Sequence, residues 1–319
     1  FPQLIAGPIV LHSEIVPQFA DPKNRSFNFD NFAPGLYAFA RGLVKKVIIA
    51  DTFAAAVDAG FASALTLNTA EAWFVAIGYT LQLYFDFSGY CDMATGVGLM
   101  FNIKIPINFN SPYKSLNIRE FWQRWHVTLS RFLTTYVYFP LGGSRKGLAR
   151  TCVNLMIVFL LSGLWHGAAM NYVAWGAANG ALQVAESFLP RRFNEPRGRL
   201  GRCAKALLTF IVIDATWLLF RAHALSTALH MAERMVRCAA GAPMATGFTF
   251  PQALVLVVGL AALGARVTVA ARRPVQRAMA EELGLRAVPL TDLAAAAAAF
   301  DTVVNTCLLY TSDAADEAR

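Results

Sequence analysis

The stretch Cys152-Val-Asn-Leu-Met-Ile-Val-Phe-Leu-Leu-Ser-Gly-Leu-Trp-His-Gly167 is an apolar run without a charged side chain that closes on a histidine. Extended to Ala169, the run approaches the about 20 mainly apolar residues that a membrane-spanning helix needs. An ionisable side chain at membrane depth is costly and by default suggests a functional site. Histidine has the unperturbed pKa closest to neutrality, so His166 is a candidate base. The alternative is a histidine that packs between helices and hydrogen-bonds a neighbouring carbonyl.

The composition of the whole chain extends this interpretation. Of its 319 residues, 56% are hydrophobic and 15% are charged, whereas a soluble domain carries about 25% charged residues. These values indicate a polytopic membrane protein that contacts membrane lipid. Because Lys and Arg cluster in the loops between apolar segments, the net charge of +8 indicates cytoplasmic loops and not a nucleic-acid surface.

Hydropathy predicts several membrane-spanning helices and one atypical apolar segment. Segment 35–64 is apolar but carries Arg41, Lys45 and Lys46 near its middle, which favours an interfacial or re-entrant helix. Basic loops at 145–150 and 191–202 are expected on the cytoplasmic side, which places His166 towards the outer half of the membrane. The predicted spans are 70–87, 152–169, 172–189, 204–220 and 253–271.

Segment 101–139 is the least similar to a membrane span. Pro and Asn residues interrupt it up to about Leu116, after which an amphipathic helix is predicted, with Trp122, Trp125 or His126, Leu129 and Leu133 at helical spacing. We expect this segment to wrap a cavity. The alternative is an amphipathic helix that lies on the cytoplasmic bilayer surface.

Seven short sequence blocks follow one another along the chain. The blocks are FPQLIAGPI at 1–9, GLVKKVIIAD at 42–51, YFDFSGYCDMA at 84–94, NFNSPY at 108–113, EFWQRWHVTLS at 120–130, PLGG at 140–143 and GLWHG at 163–167, and a weaker block, WLLFRA, follows at 217–222. In this order they resemble the membrane-bound O-acyltransferase (MBOAT) family, and within it the alginate O-acetylation (AlgI-like) branch. The resemblance implies an all-α, polytopic integral membrane fold, in which helices surround a central funnel or tunnel and include re-entrant and amphipathic helices.

The resemblance implies two catalytic histidines. His166 matches the essential histidine of the family, and His126 matches its second characteristic histidine. For His126, two interpretations remain open: it orients the substrates or assists the oxyanion, or it makes a structural hydrogen bond to a carboxylate. This chain reads FLTTY at 132–136 where the family commonly has Arg-Asp, which puts the donor or partner surface of this segment in question.

Further polar and aromatic residues are candidates for the cavity or the substrate site. We expect Trp122, Trp125 and Trp165 to form cavity walls or interfacial anchors. We expect the two aspartates to be structural partners of Arg119 or Arg124, since isolated buried carboxylates are costly. Asp86 or Asp92 would also be the carboxylate partner of His126 in its structural interpretation. The candidates are Trp165, Trp122, Trp125, Arg124, Asp86 and Asp92.

The predicted function is transfer of an acetyl group from a thioester to a hydroxyl, for O-acetylation of an exported, alginate-like bacterial polysaccharide. The expected donor is acetyl-CoA or another acyl thioester, including one on an acyl-carrier protein, with no tightly bound cofactor and no metal. We expect periplasmic polysaccharide-acetylation partners and a multi-pass location in the bacterial inner membrane. The alternatives are DltB-like transfer of D-alanyl groups to teichoic acid and a non-enzymatic transporter.

The predicted domain organisation is a single membrane domain. Residues 1–302 are expected to be the C-terminal portion of an MBOAT domain, because the chain starts without an initiator methionine and the upstream spans of the family are missing. Residues 303–319 continue no periodicity and resemble a translated sequencing adapter. We therefore interpret them as a non-native tail.

Overall fold

The computed structural model describes residues 7–190, 193, 196 and 198–237, and the backbone pairing of two short strands further along the chain. The chain divides into two compact units, Phe1–Leu263 and Gly264–Arg319. The described α-helices of the first unit are α1 (His12–Ala20), α2 (Phe29–Leu43), α3 (Asp51–Ala62), α4 (Thr69–Met100), α5 (Ile118–Arg124), α6 (Val127–Leu133), α7 (Leu148–His166), α8 (Met170–Ser187), α9 (Arg199–Arg221) and α10 (Leu225–Val236). The first unit also contains π-helical segments at Val44–Ala50 and Thr134–Tyr138 and 3₁₀ turns at Pro22–Arg25 and Pro112–Lys114.

The second unit contains two described strands that pair in parallel. Strand β1 (Thr268–Ala271) lies beside β2 (Arg286–Pro289), with Thr268 opposite Arg286. The all-α prediction is thus confirmed for the described part of the first unit, whose regular elements are helices. In contrast, the end of the predicted span 253–271 is a strand. The rest of that span, most of loop 191–202 and the tail 303–319 lie outside the described residues.

Two of the described helices are long and apolar enough to cross a membrane, namely α7 and α9. They correspond to the predicted spans 152–169 and 204–220. The predicted spans 70–87 and 172–189 are also helical, as the first half of α4 and as α8. The apolar pattern therefore located these helices, and their ends differ from the predictions by one to five residues, apart from α4, which continues to Met100.

Helix α2 packs along α4 through two pairs of glycines, which share a spacing of seven residues. A Cβ atom on Gly35 would lie 2.7 Å from the carbonyl oxygen of Gly96, and one on Gly42 would lie 2.5 Å from that of Gly89. Small residues at a helix crossing let the two backbones approach closely. Arg41, Lys45 and Lys46 of segment 35–64 then pair with the carboxylates of Asp86 and Asp92 on α4.

The predicted amphipathic helix after Leu116 is interrupted. Helix α5 ends at Arg124 and α6 begins at Val127. Between them, His126 has a left-handed backbone, with φ of 46°. A continuous helix is excluded because this conformation breaks the hydrogen-bond ladder, which the sequence periodicity did not reveal. The break places the His126 side chain in the protein interior, where it is 4% exposed.

Candidate active site around His126 and His166

Helices α7 and α8 form a tight hairpin that builds one side of the site. Gly163 and Gly176 face each other where the helices cross, and a Cβ atom on either would overlap a carbonyl group of the other helix. A Cβ on Gly163 would also lie 3.4 Å from the Cα of Gly176. Because backbone meets backbone here, the side chain of Trp175 is brought against the end of α7.

His166 is the last residue of α7 and is half-buried among aromatic rings. Its ring lies 5.4 Å from that of Trp175 and 5.0 Å from that of Phe220, both edge to face. Gly167 ends the helix, and a Cβ there would come within 2.7 Å of the Tyr172 ring. In the part of the chain that the structure describes, no side-chain hydrogen bond engages the His166 imidazole. Its nitrogens are therefore available to a substrate.

His126 is more deeply buried and is held by an amide. Its Nδ1 lies 3.0 Å from Oδ1 of Asn108, and its ring packs edge to face against Phe87 at 4.8 Å. Burial lowers the pKa of His126 to about 3, and the nearby His166 acts in the same direction. The imidazole is consequently neutral at physiological pH.

The indole of Trp165 lies close to both histidines. Its ring centroid is 6.2 Å from that of His126 and 4.9 Å from that of His166. The two imidazole centroids are therefore no further apart than the sum of these distances. Trp165 itself is 60% exposed. The structure thus brings together the two histidines that were predicted from separate sequence blocks.

The other predicted tryptophans form the floor of this site. The Trp122 ring lies 5.5 Å from the Trp175 ring, and Trp125 lies 5.0 Å from Trp217. Trp125, Trp175 and Trp217 are buried, so Trp125 is not an interfacial anchor, and its role as a cavity wall stays a prediction. Sequence reasoning missed Trp175 and Phe220. The weak 217–222 block was a signal for Phe220, whereas Trp175 belongs to none of the recognised blocks.

The predicted partners of the aspartates were wrong. Asp92 binds Lys45 at 2.7 Å and Arg41 at 3.2 Å, and Asp86 binds Lys46 at 2.7 Å. The physical reason is the glycine contact between α2 and α4, which carries these cations against the two carboxylates.

The remaining charged candidates are also engaged elsewhere. Arg124 pairs with Glu120 at 2.8 Å, one helical turn away, and the guanidinium of Arg119 lies 3.5 Å from the Ser187 hydroxyl. The hydrogen bond predicted from His126 to Asp86 or Asp92 is replaced by the one to Asn108. Among the described contacts, none places Arg124, Asp86 or Asp92 against either imidazole.

The described residues contain no obvious metal site, and one open cavity in this part of the chain is not lined by His126 or His166. Within this part of the chain, no group of three His, Cys, Asp or Glu side chains is arranged to hold a metal ion. An open cavity of about 220 Å³ is lined by residues that include Gln18, Asn24, Phe101 and Ile103. The cavity predicted around segment 101–139 therefore stays a prediction, as does a tunnel to the histidines.

Comparisons with known proteins identify the family of this chain. Residues 1–220 match the model of MBOAT, the membrane-bound O-acyltransferase family. A peptidoglycan O-acetyltransferase of Helicobacter pylori is 52% identical over 239 residues, which is 74% of this chain and 45% of that protein. A probable alginate O-acetylase of Pseudomonas aeruginosa is 45% identical over 240 residues, or 74% of this chain and 44% of that protein.

A teichoic acid D-alanyltransferase of Bacillus subtilis is 36% identical over 121 residues, which is 36% of this chain and 31% of that protein. The chain spans just under half the length of the first two relatives. The family model covers well over half of the chain. The chain therefore belongs to the membrane-bound O-acyltransferase family.

Proposed function

We propose that the protein transfers an acetyl group from a thioester to a hydroxyl of an exported bacterial polysaccharide, with His166 as the general base. The observation that carries this proposal is that the Trp165 indole lies close to both His126 and His166. One imidazole is anchored by a hydrogen bond, whereas the other has nitrogens available to a substrate. Such a pair can hold a hydroxyl and remove its proton.

The proposed reaction begins when the acceptor oxygen attacks the thioester carbonyl and its proton passes to His166. The tetrahedral intermediate then collapses, the carbon–sulfur bond breaks, and the thiolate takes the proton from the imidazolium. A positioned base of this kind contributes about 10²–10⁴-fold in rate. The donor would be acetyl-CoA or a thioester on an acyl-carrier protein, since both provide the same leaving group.

In this proposal, the aromatic rings packed around His166 keep water away from the reaction. Trp175 and Phe220 pack edge to face against His166, and Trp217 packs against both of these rings. A dry site protects an activated thioester from hydrolysis and strengthens electrostatic interactions within it. The same rings would exclude water from the tetrahedral intermediate.

The relatives support acetyl transfer to a polysaccharide over the other candidates. The two relatives that align with 74% of the chain are named for O-acetylation of peptidoglycan and alginate, whereas the D-alanyltransferase aligns with 36%. We further propose a multi-pass location in the bacterial inner membrane, periplasmic acetylation partners, and a funnel or tunnel that leads to the histidines. The apolar helices α7 and α9 support the membrane location.

The test is expression from the complete gene in a bacterium that lacks its own copy, followed by measurement of O-acetyl esters on peptidoglycan and on exported polysaccharide. His166→Ala should reduce ester formation at least about 100-fold, the usual contribution of a general base. The matched control is His223→Ala, because His223 is exposed and lies outside the site. Equal ester levels in the His166 variant and the wild type, at equal membrane abundance, would refute the proposal. D-alanyl esters on teichoic acid would instead support the D-alanyltransferase alternative.

A further inference from the structure

Asn108 and His126 are neighbours because two chain segments pair in antiparallel fashion. The backbone N–H of Val127 donates to the carbonyl of Asn108 at 3.0 Å, and that of Asn110 donates to the carbonyl of Arg124 at 2.9 Å. This pairing holds the Asn108 side chain, which is 2% exposed, against the left-handed residue between α5 and α6.

The orientation of the Asn108 amide follows from its neighbours. The backbone N–H of Thr128 points at one side of the amide, at 3.2 Å, and a backbone N–H can only donate. The amide atom on that side is therefore the oxygen Oδ1. The Thr128 hydroxyl also contacts Oδ1, at 2.9 Å. It accepts from the N–H of Ile9, so its own hydrogen can be donated to Asn108. The amide nitrogen Nδ2 faces the Sγ of Cys91 at 3.3 Å.

The proton position on His126 follows in turn. Its Nδ1 faces Oδ1 of Asn108, which can only accept a hydrogen bond, so Nδ1 must carry a hydrogen. A neutral imidazole carries one such hydrogen, which leaves Nε2 with a free lone pair. A residue with a left-handed backbone is also unusual for a non-glycine side chain, and such strain concentrates at functional sites.

We infer that Asn108 is a positioning residue that holds His126 as the Nδ1–H tautomer. In this tautomer, Nε2 accepts a hydrogen bond from the polysaccharide hydroxyl that receives the acetyl group. The role of Nε2 rests on the proposed acetyl transfer, whereas the tautomer does not. Within the first of the two interpretations of His126, the assignment favours orientation of a substrate over assistance to the oxyanion. A neutral His126 with a bare Nε2 orients a hydroxyl group and does not donate to an oxyanion.

The tautomer is measured directly by NMR on the protein expressed from its complete gene, labelled with ¹⁵N-histidine and held in lipid nanodiscs. The His126 signals are identified by their loss in His126→Gln. The wild type should show a protonated Nδ1 and an unprotonated Nε2. A protonated Nε2 on neutral His126 would overturn the inference, whether or not the protein transfers acetyl groups.

Substitutions at Asn108 separate positioning from simple packing. Asn108→Asp retains an acceptor for Nδ1 and should keep the tautomer and at least a tenth of the rate of ester formation. Asn108→Ala removes the acceptor and should give a mixture of tautomers and a larger loss of rate. Thr128→Val, the control, leaves the amide in place and should keep the tautomer. Equal tautomer populations in the Asn108→Ala variant and the wild type would refute the positioning role.

Discussion

Substitution of Gly163 by alanine tests whether the α7–α8 contact sets the geometry of the site. The new Cβ would overlap the carbonyl oxygen of Tyr172 and lie 3.1 Å from its carbonyl carbon. Carbon atoms in favourable contact are about 3.5–4.0 Å apart, so the helices must separate by about 0.5–1 Å. No side-chain rotation can relieve the clash, since the backbone fixes the position of the Cβ and the two Tyr172 atoms that it meets belong to the backbone.

The expected effect follows from this displacement. Overpacking of a tight contact costs about 1–3 kcal/mol. A misplacement of about 1 Å in a catalytic arrangement can cost about 100-fold in rate. Gly163 lies one helical turn before His166, and α8 carries Trp175 against the His166 ring. We therefore expect Gly163→Ala to lower ester formation about 10- to 100-fold and to reduce thermal stability, because the helix displacement carries both rings apart.

Gly180→Ala is the matched control on the same helix pair. A Cβ there would meet the Sδ of Met156 at 2.8 Å, and a flexible thioether can move aside. Replacement of a helical glycine by alanine then stabilises the protein by about 0.4–1 kcal/mol. The assays are O-acetyl ester formation in cells, at equal membrane abundance, and thermal unfolding of the purified protein. If Gly163→Ala forms esters at the wild-type rate, the helix contact does not control the site and the reasoning fails.

Two further predictions concern backbone strain and acid stability. His126→Gly should be more stable to heat than His126→Ala by about 1 kcal/mol, because glycine adopts the left-handed backbone freely; equal melting temperatures would contradict this. Hydrogen bonding from Arg131 lowers the pKa of Glu14, so this carboxylate stabilises the fold above its unfolded pKa and loses that effect as the pH falls. Thermal unfolding of Glu14→Gln should therefore depend less on pH below 4.5, and an unchanged pH dependence would exclude the ion pair as its cause.

Much of the site was predictable because its two histidines lie in short, recognisable sequence motifs. Both histidines stand in compact blocks, and the apolar run that precedes His166 is visible without any structure. The partners of these side chains were less predictable. Trp175 and Asn108 reach the histidines only through a helix crossing and an antiparallel pairing, and neither contact leaves a periodic trace in the sequence.

The sequence by itself determined that the protein is mainly helical and apolar, which segments form its long helices, and which two histidines are candidates for catalysis. These properties depend on local hydropathy and short motifs. The tertiary structure alone decided that Asp92 pairs with Lys45 and Arg41 and that His126 binds Asn108. The physical reason is that a polar side chain can pair only with groups that the packing of the backbones brings within contact distance. Here glycine pairs and one left-handed residue set that approach.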